Sequence, residues 1–340
     1  MKIIRNILIL SAVIFAAWMF FWAAFSPKKD VSQIIYETLK EQEKLADLTF
    51  KKVTFEEVSA GEKFWQLSAE SAIVNKDGGV AALQGTEGTF YKKGKAALKF
   101  RSPAALWDMK KKEIYLDRPF GYDLAYERHS LPANVSQRRN PLSIFNLPVK
   151  QNKETGYWFQ AKNLSWKVSD QLLLCSGGIL LNKGEITGYA ESLNGDVEFK
   201  KIELKGSPRV VISPAQSSPI TFESQVFEIN SERDLLTARG NPLVTWREAR
   251  ITSLTAQYHQ PEKKMNFTGN VAIVYKDISA WGDSADYLTE EQKIILSGNA
   301  RAIQGDNNLS SDKVQVSLRD QKISLAGKSK VVITEEKAKP

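Results

Sequence analysis

The sequence predicts an all-β fold, an elongated folded-over sheet of repeated β-hairpins that follows one N-terminal transmembrane helix. Three observations carry this. Five stretches in the C-terminal half, KIELKGSPRVVI, LLTARGNPLVTW, MNFTGNVAIVY, IILSGNARAIQ and KISLAGKSKVVI, each run into a glycine, at Gly206, Gly240, Gly269, Gly298 and Gly327. The last four glycines stand about 29 residues apart and the first gap is about five longer, the spacing of one repeated unit. Within each unit the apolar residues alternate: Ile202 and Leu204, Leu236 and Ala238, Met265 and Phe267, Ile294 and Leu296, and Ile323 and Leu325 precede the glycines by four and two positions. Val210, Val244, Ile273, Ala302 and Val331 follow by four. Residues two apart share one face of a strand, so these positions form an apolar column, which a helix would scatter around its circumference. Third, Ile7 to Phe25 (ILILSAVIFAAWMFFWAAF) carries no charge.

That first segment is long enough to cross a hydrocarbon core of about 30 Å as a helix. Lys2 and Arg5 precede it and Trp18 and Trp22 lie near its far end, which predicts a cytoplasmic N-terminus and a translocated remainder. A cleaved signal would need small residues at its cleavage site, and Trp22 before Ala23 fits that poorly, so residues 1–27 read as a retained anchor.

Residues 28–48 alternate apolar Val31, Ile34, Ile35, Leu39, Leu45 and Leu48 with charges, as an amphipathic helix or stalk does. Hairpins are expected over 49–126, where FWQLSAESAIVNKDGG and VAALQGTEGTFYKKGK read as strand, turn and strand. Alternation fails over 127–155, where Pro132, Pro141 and Pro148 predict a long loop, and resumes over the repeat array of 156–335. Residues 336–340 form a polar tail. The glycine of each unit reads as a bulge or sharp bend that lets a flat hairpin fold over. The strands form either one long sheet or two stacked segments.

The chemistry-bearing residues are sparse. Cys175 is the only cysteine, so no intramolecular disulfide and no cysteine-held zinc is possible, and its LLLCSGG setting is that of a buried small hydrophobe. His129 and His259 lie far apart in polar stretches and read as surface groups. The two carboxylates of GDSAD, Asp283 and Asp286, are three apart and are expected on opposite faces of a strand. No phosphate-cradling loop, nucleophile elbow or calcium loop is present, so the chain does not read as an enzyme and needs no cofactor or metal. The formal charge of +8 suits an anionic partner. Lys92, Lys93 and Lys95, Lys110 to Lys112, and Arg138 with Arg139 concentrate it, although lysines also mark exposed turns and blunt sheet edges. A chain sent across a membrane with no nucleic-acid module has no call for nucleic acid.

The stretch FTGNVAIVYKDISAWGDSADYLTEEQKIILSGNARAIQGDNNLSSDKVQV, with its recurrent Gly-Asn and the segment Ala285, Asp286, Tyr287, resembles the OstA-like domain of lipopolysaccharide-transport proteins. The anchor followed by GEKFWQLSAESAIV, Gly61 to Val74, resembles the LptC family, membrane-anchored periplasmic subunits of the lipopolysaccharide exporter. The two resemblances cover most of 1–125 and 184–335, and the chain departs from the LptC plan in carrying a longer repeat array. They imply a jellyroll-like sheet folded into a trough, inner-membrane anchored with its bulk in the periplasm, that binds lipopolysaccharide or a related glycolipid. Its apolar lining would be Ile202, Leu204, Val210, Leu236, Val244, Met265, Phe267, Ile273, Ile294, Leu296, Ile323, Leu325 and Val331. The implied partners are the membrane subunits of an ABC transporter, which supply the energy, and another OstA-like bridge protein joined by edge-strand pairing, with Ile323 to Ile333 as donor edge. Two other functions compete: a structural bridge with a packed core and no conduit, and a β-helix carbohydrate-active enzyme, which would need clustered carboxylates on one face.

Overall fold

A computed structural model describes residues 33, 35–37, 40, 48–59, 61–75, 79–130, 156–214 and 218–333. The expected anchor Ile7 to Phe25, most of the loop and the polar tail lie outside the described residues. Among those described, no helix is long and apolar enough to cross a membrane.

Four long strands open the sheet: β1 (Leu48–Ser59), β2 (Glu62–Asn75), β3 (Val80–Lys92) and β4 (Lys95–Asp108). The chain then breaks into β5 (Glu113–Asp117) and β6 (Phe120–Asp123), a short helix α1 (Leu124–Ser130), β7 (Tyr157–Gln160) and β8 (Asn163–Lys167). Two long strands follow, β9 (Leu172–Lys183) and β10 (Ile186–Asp196). Next comes a run of half-length strands: β11 (Lys201–Lys205), β12 (Arg209–Ile212), β13 (Ile220–Glu223), β14 (Val226–Asn230), β15 (Leu235–Arg239), β16 (Leu243–Trp246), β17 (Ala249–Thr252) and β18 (Thr255–His259). Five long strands close the array: β19 (Lys264–Tyr275), β20 (Ile278–Leu288), β21 (Lys293–Gln304), β22 (Asn307–Ser317) and β23 (Lys322–Val332).

All pair antiparallel in a single 23-stranded sheet, so the one-sheet alternative is the observed one. The sheet is doubled over. β10 pairs through Ser192–Gly195 with β11 and through Ile186–Tyr189 with β12, so one long strand serves two facing walls. Wall A continues through β11, β14, β15 and β18, and wall B through β12, β13, β16 and β17, until β19 rejoins them by pairing with both β18 and β17. The extra residues of the longer first repeat fall between β12 and β13. On either side of residues 131–155 the walls are continuous, β5 pairing with β8 and β6 with β7.

The glycines mark the line along which the sheet folds. Gly206, Gly240, Gly269, Gly298 and Gly327 all have φ between +72° and +92°. Ser207, Asn241, Asn270 and Asn299, the residues after the first four, are left-handed too. Asparagine tolerates that conformation better than other side chains, which gives the recurrent Gly-Asn its physical reason. The ladder slips there, between Thr268 and Val271 and between Ser297 and Ala300, as a β-bulge requires. Opposite each glycine lies a side chain from fifteen residues earlier: Glu191 over Gly206, Gln225 over Gly240, Leu254 over Gly269, Asp283 over Gly298 and Asp312 over Gly327.

Two expectations are corrected. The segment around residue 35 does not stand off the sheet as a stalk, because Ile35 is fully buried with Ala82, Ala104 and Leu106, and the Tyr36 hydroxyl donates to Asp117 Oδ2 at 3.2 Å. Ile35 covers the alanine-rich outer surface of β3 and β4. The loop expected from 127 begins as the end of α1, whose Tyr126 packs beside Phe120, Tyr122 and Trp158 outside the main core.

The core carries several buried phenols. Burial pushes the Tyr122 hydroxyl up to about 12 and raises Tyr157, Tyr258 and Tyr287 as well. The folded chain thus keeps protons that the unfolded chain releases near pH 10, and stability falls as pH rises wherever the native state binds more protons. Urea midpoints are expected to be level between about pH 7 and 9 and to drop steadily above about pH 10. A midpoint that held constant to pH 11.5 would remove the phenols from the account.

Candidate functional site

Among the described residues the space between the walls holds the largest continuous apolar cluster. A single cluster of buried side chains runs from Trp65 through Phe159, Leu204, Phe267 and Leu296 to Leu318. Of the residues expected to line a trough, Ile202, Leu204, Val210, Leu236, Val244, Met265, Phe267, Ile273, Ile294 and Leu296 face this interior, each at most 3% exposed. Ile323 and Leu325 are only partly buried against it.

Val331 departs from the expectation: it is 51% exposed. The walls are offset along the array, so a wall-B side chain meets a wall-A strand further along the chain. Trp246 of β16 packs against Tyr287 of β20, ring centroids 6.1 Å apart and planes tilted by 48°, and the Tyr275 hydroxyl at the end of β19 donates to the Leu318 carbonyl beyond β22 at 2.9 Å. Among the described residues the wall-B half of β23 therefore has no later strand to oppose it, and Val331 is left uncovered.

The fold line closes one side of the interior and the strand-end turns meet on the other. Among the described residues the two rims are joined through side chains. Lys183 Nζ reaches Asp234 Oδ1 at 3.1 Å, Lys92 Nζ reaches Glu198 Oε2 at 2.9 Å and Lys112 Nζ reaches Glu57 Oε1 at 3.4 Å. The Tyr258 hydroxyl donates to Glu185 Oε1 at 3.4 Å. Between these clasps the walls touch: the cavity bounded by Leu181, Val210, Ile229, Leu236 and Tyr258 holds about 20 Å³. The indole N–H groups of Trp107, Trp166 and Trp246 are buried without a hydrogen-bond partner. A donor left so costs about 1–3 kcal/mol, so these three are ready to donate to an acceptor that enters from outside.

Other sequence candidates do not assemble into a centre. Cys175 is buried, and burial raises its thiol pKa, which keeps it protonated. His259 ends β18. Asp283 and Asp286 do not face opposite sides. Across the ladder slip between Trp281 and Ser284 the buried positions of β20 shift from Ile278, Ala280 and Gly282 to Ala285 and Tyr287, so both carboxylates point outward, Asp283 to Asn299 Nδ2 at 2.9 Å and Asp286 to Lys264 Nζ at 3.1 Å. No group of three His, Cys, Asp or Glu that could hold a metal exists among the described residues.

What sequence reasoning missed is the rim. Lys183, Glu185 and Asp234 belong to turns, where polar residues are expected for solvation alone, and nothing in their spacing shows that they meet across the interior.

No curated protein sequence matches the chain. Among solved structures it is similar to the crystal structure of LptH, the LptA homologous periplasmic component of the conserved lipopolysaccharide transport device from Pseudomonas aeruginosa, at 17% identity and a TM-score of 0.34, over 36% of this chain and 100% of that chain. Residues 277–338 match the family described as LptA/(LptD N-terminal domain) LPS transport protein, a family of transport rather than catalytic proteins. The matched stretch spans β20 to β23 and is similar to that family over those residues.

Proposed function

We propose that this chain is a periplasmic component of lipopolysaccharide export that receives acyl chains between its walls. The observation that carries the reading is an apolar interior that runs the length of the sheet and is closed along one side only by side chains. A lipid cannot cross water alone, because each exposed methylene costs about 0.8 kcal/mol. An acyl chain of ten carbons therefore gains on the order of 8 kcal/mol from burial. As the walls part, contacts of wall with wall are replaced by contacts of wall with acyl chain. What opposes opening is then mainly the clasps, and half-exposed ion pairs of this kind contribute about 1 kcal/mol or less each.

In this reading residues 7–25 hold the chain in the inner membrane, in the manner of the LptC family. The glycolipid arrives from the membrane subunits of an ABC transporter and leaves towards another OstA-like protein. Among the described residues β23 pairs only with β22, so its outer edge is free to add a strand from such a partner. The second reading, a structural bridge, is favoured by the closeness of the packing, since Phe267 and Leu296 are at most 1% exposed.

Photo-crosslinking separates the two. A probe at Phe267, Leu296 or Leu325 is expected to capture glycolipid in cells that make it. A probe one position on, at Thr268, Ser297 or Ala326, faces the other side of the sheet and is expected to capture little. Equal capture from both faces, or none in a folded protein, would leave the structural bridge as the better account.

A further inference from the structure

The lysines around the β3–β4 turn do more than decorate a hairpin. Lys93 and Gly94 both have positive φ, +50° and +68°, the geometry of a tight two-residue turn. That turn projects Lys93 and Lys95 into solvent at the rim of wall B, and among the described residues neither has an ion-pair or hydrogen-bond partner. Across the mouth, on the rim of wall A, stands Lys200. Between them lies a cavity of about 700 Å³, lined by Lys92, Lys93, Lys95, Lys200, Asp123 and Glu198. The mouth beside Lys183 and Asp234 is closed almost to a single water, whereas here it is wide.

The charges do not balance. Four lysines and two carboxylates line the cavity, both carboxylates are already engaged, and Lys200 also pairs with Glu232 Oε1 at 3.0 Å, so the unspent charges are those of Lys93 and Lys95. Asp123 accepts the backbone N–H of Tyr126 at 2.7 Å and of Tyr157 at 2.9 Å. Glu198 is shared by Lys92 and Lys200, at 2.9 and 3.5 Å. The floor is apolar, and its Ala97 packs against the same continuous core that holds Phe90 and Trp166. The cavity therefore offers unspent positive charge at its lip and direct access to the apolar interior beneath. Only a ligand that is anionic at one end and apolar at the other uses both.

We infer that this basin is the site where the phosphorylated head group of the glycolipid docks while its acyl chains enter between the walls. The inference rests on the proposed conduit and adds to it a specificity for phosphate. Ammonium groups on a rigid turn bind phosphate oxygens as point charges, and their attraction survives where a cavity limits water.

The test uses the full-length chain and its K93E/K95E variant. Both residues are exposed on the turn and free of partners, so the fold is expected to persist, which circular dichroism checks. Binding is measured for a phosphorylated glycolipid and for the same glycolipid after phosphatase treatment. The variant is expected to lose about tenfold or more in affinity for the phosphorylated form and less than about twofold for the other. K313E/K322E, the same charge change on exposed lysines elsewhere, is expected to leave both affinities within about twofold. Equal losses for the two lipids, or no loss, would overturn the basin while leaving the conduit standing. Failure of the wild-type chain to bind either lipid would instead overturn the conduit. Inorganic phosphate binding as tightly as the phosphorylated lipid would assign the basin to free phosphate, and equal binding of phosphatidylglycerol vesicles to a membrane surface. Either result would overturn the head-group assignment.

Discussion

Leu296→Asp is expected to cost the protein about 4 kcal/mol or more in unfolding free energy, while Ser297→Asp, its neighbour on the same strand, stays within about 0.5 kcal/mol. Leu296 is wholly buried between Ala285 and Val314 on the inner face of wall A, so a carboxylate there loses its water and finds no partner. The Ser297 side chain lies on the outer face, where water remains. Chemical denaturation of both variants measures the contrast. It also controls any transport assay, because a loss of transport in Leu296→Asp has meaning only beside its loss of fold. Similar destabilisation by both substitutions would show that the sheet does not have one wet and one dry side at β21.

The second large effect is at the fold line. A Cβ on Gly206 would stand 2.4 Å from Glu191 Cβ, and the backbone there has φ of +82°. Gly206→Ala is thus expected to lose about 1–2 kcal/mol from backbone conformation alone, with a steric penalty on top. Gly305 separates the two. Its φ is +57°, but a Cβ there would meet nothing within 4 Å, so Gly305→Ala reports only the backbone part. Pairing Gly206→Ala with Glu191→Gly removes the obstructing side chain. The steric part is expected to return in that double variant and the backbone part is not. If Gly206→Ala and Gly305→Ala cost the same, the stacking of Glu191 over Gly206 would carry no energetic weight.

The strands and their inner face were legible in the sequence because a strand has a period of two, and the array repeats that signal through Met265, Phe267, Ile294 and Leu296. The fold line was legible because a bend with positive φ selects glycine, and Gly-Asn selects two such residues in succession. Legibility stopped where the answer depends on what stands opposite. Val331 continues the apolar pattern and is nevertheless exposed, since the offset between the walls leaves its half-strand unopposed. Asp283 and Asp286 share a face because the inward parity of β20 reverses at the fold line, as it does in β10 and β22. The rim clasps and the lysine basin join turns far apart in sequence, and their meeting depends on the twist of the whole sheet. The cover that Ile35 gives to β3 and β4 was hidden for a related reason: Ala82 and Ala104 are too small to announce an outer apolar face.

The fifteen-residue step from Glu191 to Gly206, and from Asp283 to Gly298, has a kinetic side. Nearly every ladder in this sheet joins strands that are neighbours or near neighbours in the chain, so contact order along the walls is low and each hairpin can zip onto the last as the polypeptide emerges. Contacts across the mouth obey a different clock. Lys183 waits for Asp234, 51 residues later, and Glu185 waits for Tyr258, 73 residues later. The open ribbon is therefore laid down first and shut afterwards. A nascent chain passes through a stage in which its greasy face is bare and its hydrogen-bonded scaffold complete, and that stage is the one most exposed to aggregation and most in need of a chaperone.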